Sequence, residues 1–270
     1  MRKIVKPTVE IMEALPTVIL GFLAGLWLAP FIEKNLPGFL LLPFTVPFGI
    51  LLTAYIWSKL PENFTSRVPE GWQGLLLIPT IILFGCFTIG ISPVLENIFF
   101  GGDAPTYMSS SLGISFDQRN SLVVGLAMGF AVIPTIFSIA EDAIFAVPKS
   151  LTSGSLALGA TPWQTLTRVV ILNALPGIFS AIMMGLGRAV GETMIVLMAT
   201  GNTAVMDLSI FQGMRTLSAN IAVEMPESEV GSTHYRVLFL AALVLFVFTF
   251  VFNTFAEVVR TRLRKKYTTQ

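Results

Sequence analysis

Residues 177–199 read G-I-F-S-A-I-M-M-G-L-G-R-A-V-G-E-T-M-I-V-L-M-A, from Gly177 to Ala199. A helix needs about 20 predominantly apolar residues to cross the hydrocarbon of a bilayer, and this run supplies them. Its apolar residues do not alternate, which argues against a strand. Inside lipid every backbone N–H and C=O must be paired within the segment, and a helix achieves that. Further runs of the same kind lie at Ala14–Ile32, Gly38–Trp57, Gly74–Leu95, Ser121–Ala140 and Val237–Phe255. The fold class follows as all-α: a polytopic membrane protein with six predicted transmembrane helices in a single domain, residues 1–270.

Composition agrees. Of 270 residues, 54% are hydrophobic and 12% charged, with a mean hydropathy of +0.77. An ordinary soluble domain carries about 25% charged residues. The net charge of +1 gives no bulk attraction to nucleic acid. A single Cys, Cys86, and a single His, His234, exclude a Cys/His metal cluster and an intramolecular disulfide. No G-x-x-x-x-G-K-[ST] occurs, so no P-loop hydrolyses nucleotide here. The first apolar run has no small-residue cleavage site behind it and reads as a retained helix.

Lys and Arg in the connections set the orientation. With the N-terminus inside, the inner segments hold 12 Lys and Arg and the outer ones 4. Both termini are therefore expected in the cytoplasm. The polar loop Lys59–Gln73 and the long amphipathic loop Glu141–Leu175 fall inside. Glu96–Asn120 and Gly201–Arg236 fall outside, and Ser209–Val223 has helical apolar spacing suited to the membrane surface.

Two short helices around Gly159 are expected in the inner loop, residues 141–176. Leu151, Leu156 and Leu158 precede the glycine. Thr161 can cap the next helix and Pro162 can start it, with Trp163, Leu166 and Val170 on one face. Such an elbow suits docking of a partner, and it equally suits packing against its own bundle.

The run 177–199 carries Arg188 and Glu192, four residues apart. Arg188 lies at the middle of the run, where a charge costs about 2.5–3.5 kcal/mol even on the lenient insertion scale. If the helix is continuous the two side chains share a face and neutralise each other. Alternatively they form an anion site. A guanidinium matches phosphate oxygens with a planar pair of donors. Glu192 could then orient Arg188 or accept a proton from a protonated oxyanion, which disfavours sulfate. Gly185, Gly187 and Gly191 permit close approach of a neighbouring helix, or serve packing alone. Pro134 should kink its span. His234 reads as a solvated loop histidine, and Trp27, Trp57 and Trp72 as interfacial anchors. Asn63–Thr65 fits the glycosylation acceptor pattern but falls on the inner side.

These stretches together resemble the permeases of ABC-type phosphate importers. The loop resembles the coupling element E-A-A-x-x-x-G-x9-I-x-L-P. Gly159 matches its glycine, Val169 and Ile171 stand for its isoleucine and leucine, and Pro176 matches a common second proline. Ser153, Gly154 and Ser155 replace E-A-A, and Leu172 replaces the first proline. The string S-L-A-L-G-A-T-P-W-Q-T, Ser155 to Thr165, is closer still to the phosphate permeases, as are G-R-A-V-G-E-T at Gly187–Thr193, Arg119–Ala143, Glu13–Gly21 and Gly213–Glu224. The likeness leaves out about residues 30–105. Family members place one or two further spans before the segment equivalent to Glu13–Gly21, so this chain resembles a C-terminal portion or a short form.

The resemblance implies a type I importer permease fold in a bacterial inner membrane, and a transport subunit that makes and breaks no bonds. It implies a dimer of ATPase subunits that holds the ATP and magnesium, a sister permease, and an outer phosphate-binding protein as partners. It places inorganic phosphate at Arg188 and Glu192. It makes Ser155, Leu158, Gly159, Ala160, Thr161, Trp163 and Arg168 part of the ATPase-docking surface. Other readings are a permease for sulfate or molybdate, a stand-alone anion channel or carrier, and a non-transporting partial subunit.

Overall fold

A computed structural model of the chain describes residues 2–61, 74–75 and 77–267. Residues 62–73, with Arg67, Trp72 and the Asn63–Thr65 sequon, lie outside the described residues. The regular elements among the described residues are all helices, with no strand. Among the described residues six helices are long and apolar enough to cross a membrane, at Thr17–Lys34, Leu36–Lys59, Leu77–Ser111, Ser121–Phe145, Pro162–Gly191 and Thr233–Lys266.

An amphipathic helix α1 (Arg2–Glu13) precedes the first span. That span is α2 (Thr17–Leu23), a π-helical turn at Ala24–Leu28 and α3 (Ala29–Lys34). Then come α4 (Leu36–Lys59), α5 (Leu77–Phe99) and the short α6 (Ala104–Ser111). The fourth span is α7 (Ser121–Phe145), a helix that continues through Pro134. The elbow comprises α8 (Lys149–Ala157) and α9 (Pro162–Thr165), which runs through a π-helical turn at Leu166–Val170 into α10 (Ile171–Gly191). The outer end holds α11 (Met194–Ala199) and α12 (Leu217–Glu224), and α13 (Thr233–Tyr267) closes the chain.

Small residues set the packing. A Cβ on Gly21 would stand 2.9 Å from the Met194 carbonyl oxygen, and one on Gly25 2.5 Å from that of Met198. The pair Gly21 and Gly25 thus seats α11 against the first span, as small residues four apart do in membrane helices. Gly177 sits on the Ala143 methyl and Gly185 on Val132 and Ile136, which locks α10 along α7. Ile32, Leu36, Val123, Val124, Ile195 and Val196 are fully buried where the first span, α7 and α11 meet.

The hairpin α4–α5 stands apart. Its helices pack on each other, with Gly49 under the Phe84 ring and Gly38 under Ser92. Polar contacts also join the two helices. Thr88 donates to Thr45 at 2.8 Å, the Gly38 N–H donates to Ser92 Oγ at 3.0 Å, and the Thr53 and Thr80 hydroxyls lie 3.2 Å apart. Only 6% and 11% of the most apolar windows of the second and third spans are buried. These helices fall within the stretch that the family resemblance left out.

Candidate functional site

The run 177–199 is not one helix. α10 ends at Gly191, Glu192 turns extended (ψ 131), and α11 begins only at Met194. The i,i+4 pairing expected between Arg188 and Glu192 needs an unbroken turn, and the turn is broken. The Glu192 carboxylate instead accepts from the N–H groups of Met194 at 3.2 Å and Ile195 at 3.4 Å. Ser218 at the start of α12 donates to the Glu192 carbonyl at 2.9 Å. A helix break in an apolar bundle frees backbone groups that must find partners, and Glu192 and Ser218 provide them.

Arg188 finds its partners on other elements. Its Nη1 donates to Thr135 Oγ1 on α7 at 3.0 Å and lies 3.7 Å from Glu13 Oε1 at the end of α1. Thr135 in turn donates to the same Glu13 oxygen at 3.1 Å. One hydroxyl thus accepts from the cation and donates to its counter-ion. The other side of Arg188 lines a cavity of ≈ 410 Å³ between α10 and α13, large enough for a small oxyanion. Neither Glu13 nor Thr135 could be singled out from sequence spacing, because they lie 175 and 53 positions from Arg188. Of the glycines near it, Gly185 is tightly packed, Gly187 has the Asn253 amide oxygen 3.7 Å from its Cβ direction, and Gly191 faces open space.

α1 is fastened at its other end as well. Lys6 donates to Asp142 Oδ1 at 2.7 Å and lies 3.4 Å from Glu141 Oε2. The hydrogen bond to Asp142, with the charges of both carboxylates, holds the Lys6 ammonium above the ordinary lysine value of 10.5. A raised lysine keeps its contribution at every pH below that ordinary value and loses it only as pH rises through the shifted one. The tether is therefore intact across neutral pH.

The elbow has the shape expected. α8 ends in a Schellman motif: Gly159 N–H bonds the Leu156 carbonyl at 3.0 Å and Ala160 N–H bonds that of Ser155 at 3.2 Å. Gly159 takes φ +85, which glycine adopts without strain. Thr161 and Gln164 then form a reciprocal capping box at the start of α9. Ser155 and Thr165 hydroxyls 3.0 Å apart join the two arms. Leu158 is 91% exposed and Trp163 70% exposed, so the apolar tip of the elbow does not pack on its own bundle. Arg168 lies in the π-helical turn beyond it and is exposed.

On the outer side the helical stretch expected at Ser209–Val223 is confined to α12. The carbonyls of Phe211, Gln212 and Ile210 accept instead from Asp117, Ser121 and Leu122 N–H groups. The Gln212 and Ile210 carbonyls thereby satisfy the first two donors of α7. Arg215 is tied to Asn220 at 3.1 Å and Glu224 at 3.2 Å, and His234, in the first turn of α13, lies 3.5 Å from Glu224.

Residues 1–265 match the family model described as binding-protein-dependent transport system inner membrane component. The chain is 34% identical over 189 residues to the probable ABC transporter permease protein YqgH of Bacillus subtilis, covering 70% of this chain and 60% of that protein. It is 29% identical over 240 residues to the phosphate transport system permease protein PstC of Mesorhizobium japonicum, covering 85% of this chain and 72% of that one. To PstC of Haemophilus influenzae it is 30% identical over 233 residues, 82% of this chain and 70% of the other. It therefore spans less than two thirds of the YqgH length. No solved structure is significantly similar to it.

Proposed function

The chain belongs to the family of binding-protein-dependent transport system inner membrane components, and from that premise we propose that it is a permease subunit of an ATP-driven importer of inorganic phosphate. Membership makes it a multi-pass inner-membrane transport component with the type I permease fold. The proposal adds the solute, the pathway and the coupling.

In this proposal an outer binding protein delivers phosphate to this chain and a sister permease. ATP and magnesium are held by a pair of ATPase subunits, and closure of those subunits on the elbow at Ser155–Arg168 rocks the spans between outward and inward access. The exposed Leu158 and Trp163 supply the apolar anchors of that contact. Both chain termini lie in the cytoplasm. The observation that carries the reading is Arg188. Its guanidinium is braced by Thr135 at 3.0 Å and counter-charged by Glu13 at 3.7 Å, and it lines a cavity of ≈ 410 Å³. A phosphate arriving there takes the place of the Glu13 carboxylate, so the guanidinium is never left uncompensated. Glu192 holds the helix break beside it and can accept a hydrogen bond from a protonated phosphate.

The test is ATP-dependent uptake of radiolabelled phosphate into vesicles holding this chain, the sister permease, the ATPase and the binding protein, with sulfate as competitor. We expect uptake that sulfate does not suppress, abolished in Arg188→Ala while ATPase docking persists. Uptake unchanged in Arg188→Ala would overturn the assignment of the pathway, and suppression by sulfate would overturn the solute.

A further inference from the structure

Four polar residues of α13 share one side of the helix. Asn253, Glu257, Arg260 and Arg264 fall at spacings of four, three and four, which is one stripe of a helix. α10 presents a matching stripe of polar and small residues, Asn173, Gly177, Ser180, Gly187 and Arg188. The two stripes face one another. The ≈ 410 Å³ cavity is lined by Arg188, Ser180, Asn253, Glu257 and Arg260. A second cavity, of ≈ 370 Å³, is lined by Asn173, Ser180, Arg260 and Arg264. Ser180 and Arg260 line both, so the groove runs on past Arg188 along α10 and α13.

We infer that this groove is a phosphoryl-binding track in which Arg260 is a second anion station after Arg188 and Arg264 is its mouth. The inference rests on the phosphate-permease reading and extends it. Along α13 the seven residues from Asn253, level with Arg188, to Arg260 rise about 10 Å, and the four from Arg260 to Arg264 about 6 Å. Each arginine of the track that is drawn toward the membrane has its own carboxylate at rest. Glu13 stands 3.7 Å from Arg188, and Glu257 stands 2.9 Å from Arg260. An anion moving along the groove displaces one carboxylate, then the next, and each guanidinium recovers its partner as the anion leaves. A guanidinium offers a phosphoryl group two parallel donors, which the single Lys265 or Lys266 ammonium does not. The same phosphoryl chemistry has two sources, free inorganic phosphate passing through and the headgroup of an anionic lipid seated in the groove.

The test uses the complete importer in vesicles of phosphatidylcholine alone and in vesicles containing phosphatidylglycerol. It reads labelled phosphate moved per ATP hydrolysed. Arg260→Gln is expected to lower that ratio by roughly ten-fold or more, the loss of a charge-assisted contact. Arg260→Lys should fall between, and Lys265→Gln, which removes the same charge outside the groove, should match the unaltered chain. The Lys variant reads the site even if the Gln variant fails to assemble. A defect equal in both lipids identifies free phosphate as the ligand. A defect confined to phosphatidylglycerol vesicles, with the unaltered chain in phosphatidylcholine behaving like Arg260→Gln, identifies the lipid headgroup. Both support the site. An unaltered ratio for Arg260→Gln in both lipids, with Arg188→Ala inactive alongside, overturns the second station and leaves the permease reading standing. No phosphate movement by the unaltered chain overturns that reading, and the track with it.

Discussion

Glu13→Gln is expected to strengthen phosphate binding. The carboxylate competes with any anion for Arg188, and the amide that replaces it carries no charge. Two unit charges 3.7 Å apart would attract by about 4.5 kcal/mol at an effective dielectric constant of 20. The Arg188 and Glu13 side chains are 33% and 47% exposed, so solvent takes most of that away. An energy of about 1 kcal/mol remains, typical of a partly exposed pair, and it corresponds to about five-fold in affinity. The amide can still accept the Thr135 hydroxyl, so the hydroxyl bracing Arg188 stays in place. The assay is equilibrium binding of labelled inorganic phosphate to the purified permease pair, without binding protein or nucleotide. The unaltered chain, Glu13→Gln, Arg188→Ala and the double variant are compared. Glu13→Gln should bind about five-fold tighter, both Arg188→Ala chains should lose the site, and the gain should vanish in the double variant. Weaker binding by Glu13→Gln would refute the competition, because it would mean that Glu13 positions Arg188 for the anion.

Three further outcomes follow from the geometry. Glu192→Gln keeps an acceptor for the Met194 and Ile195 N–H groups and should preserve folding, whereas Glu192→Ala removes the cap and should cost about 1–2 kcal/mol in thermal or denaturant melts; a well-folded Glu192→Gln chain without transport would show that the carboxylate charge acts on the solute. Gly25→Val drives a methyl-bearing carbon to 2.5 Å from the Met198 carbonyl oxygen and should destabilise the chain by about 1–3 kcal/mol or more, while Gly129→Ala, with open space around it, should not, as a melting comparison in detergent would read. Trp163→Ala should leave that melt within about 0.5 kcal/mol, since the ring is exposed, yet weaken the ATPase by roughly 30-fold in a direct binding titration; unchanged affinity would remove the elbow tip from the interface.

The membrane architecture was legible because length and apolarity decide it, and all six spans are where long apolar runs stand. The elbow was legible because Gly159, Thr161 and Pro162 are local signals, and Gln164 completes the capping box. The break after Gly191 was not legible. Glu192 and Thr193 sit in a run apolar enough for a continuous helix, and what stabilises the break is a hydroxyl from Ser218. For the same reason spacing offers Glu192 as the partner of Arg188, whereas the counter-ion comes from α1. The outer helix was overextended because its expected carbonyls are recruited to the N-terminus of α7. The polar stripe of α13 was present in plain spacing, yet it lies where Lys and Arg are expected for orientation alone.

One uninterrupted helical rod runs from Pro162 at the elbow to Gly191, with Arg188 three residues from its far end. From Pro162 to Arg188 it measures about 39 Å at 1.5 Å per residue. As a lever pivoted at the elbow, it turns a rotation of about 5° into a travel of about 3 Å at the guanidinium, enough to pull a hydrogen bond of 3.0 Å out of range. The stroke needed to unclasp Arg188 is therefore small. The π-helical turn at Leu166–Val170, close to the elbow, is where the rod departs from regular α-helix and where its stiffness would be set.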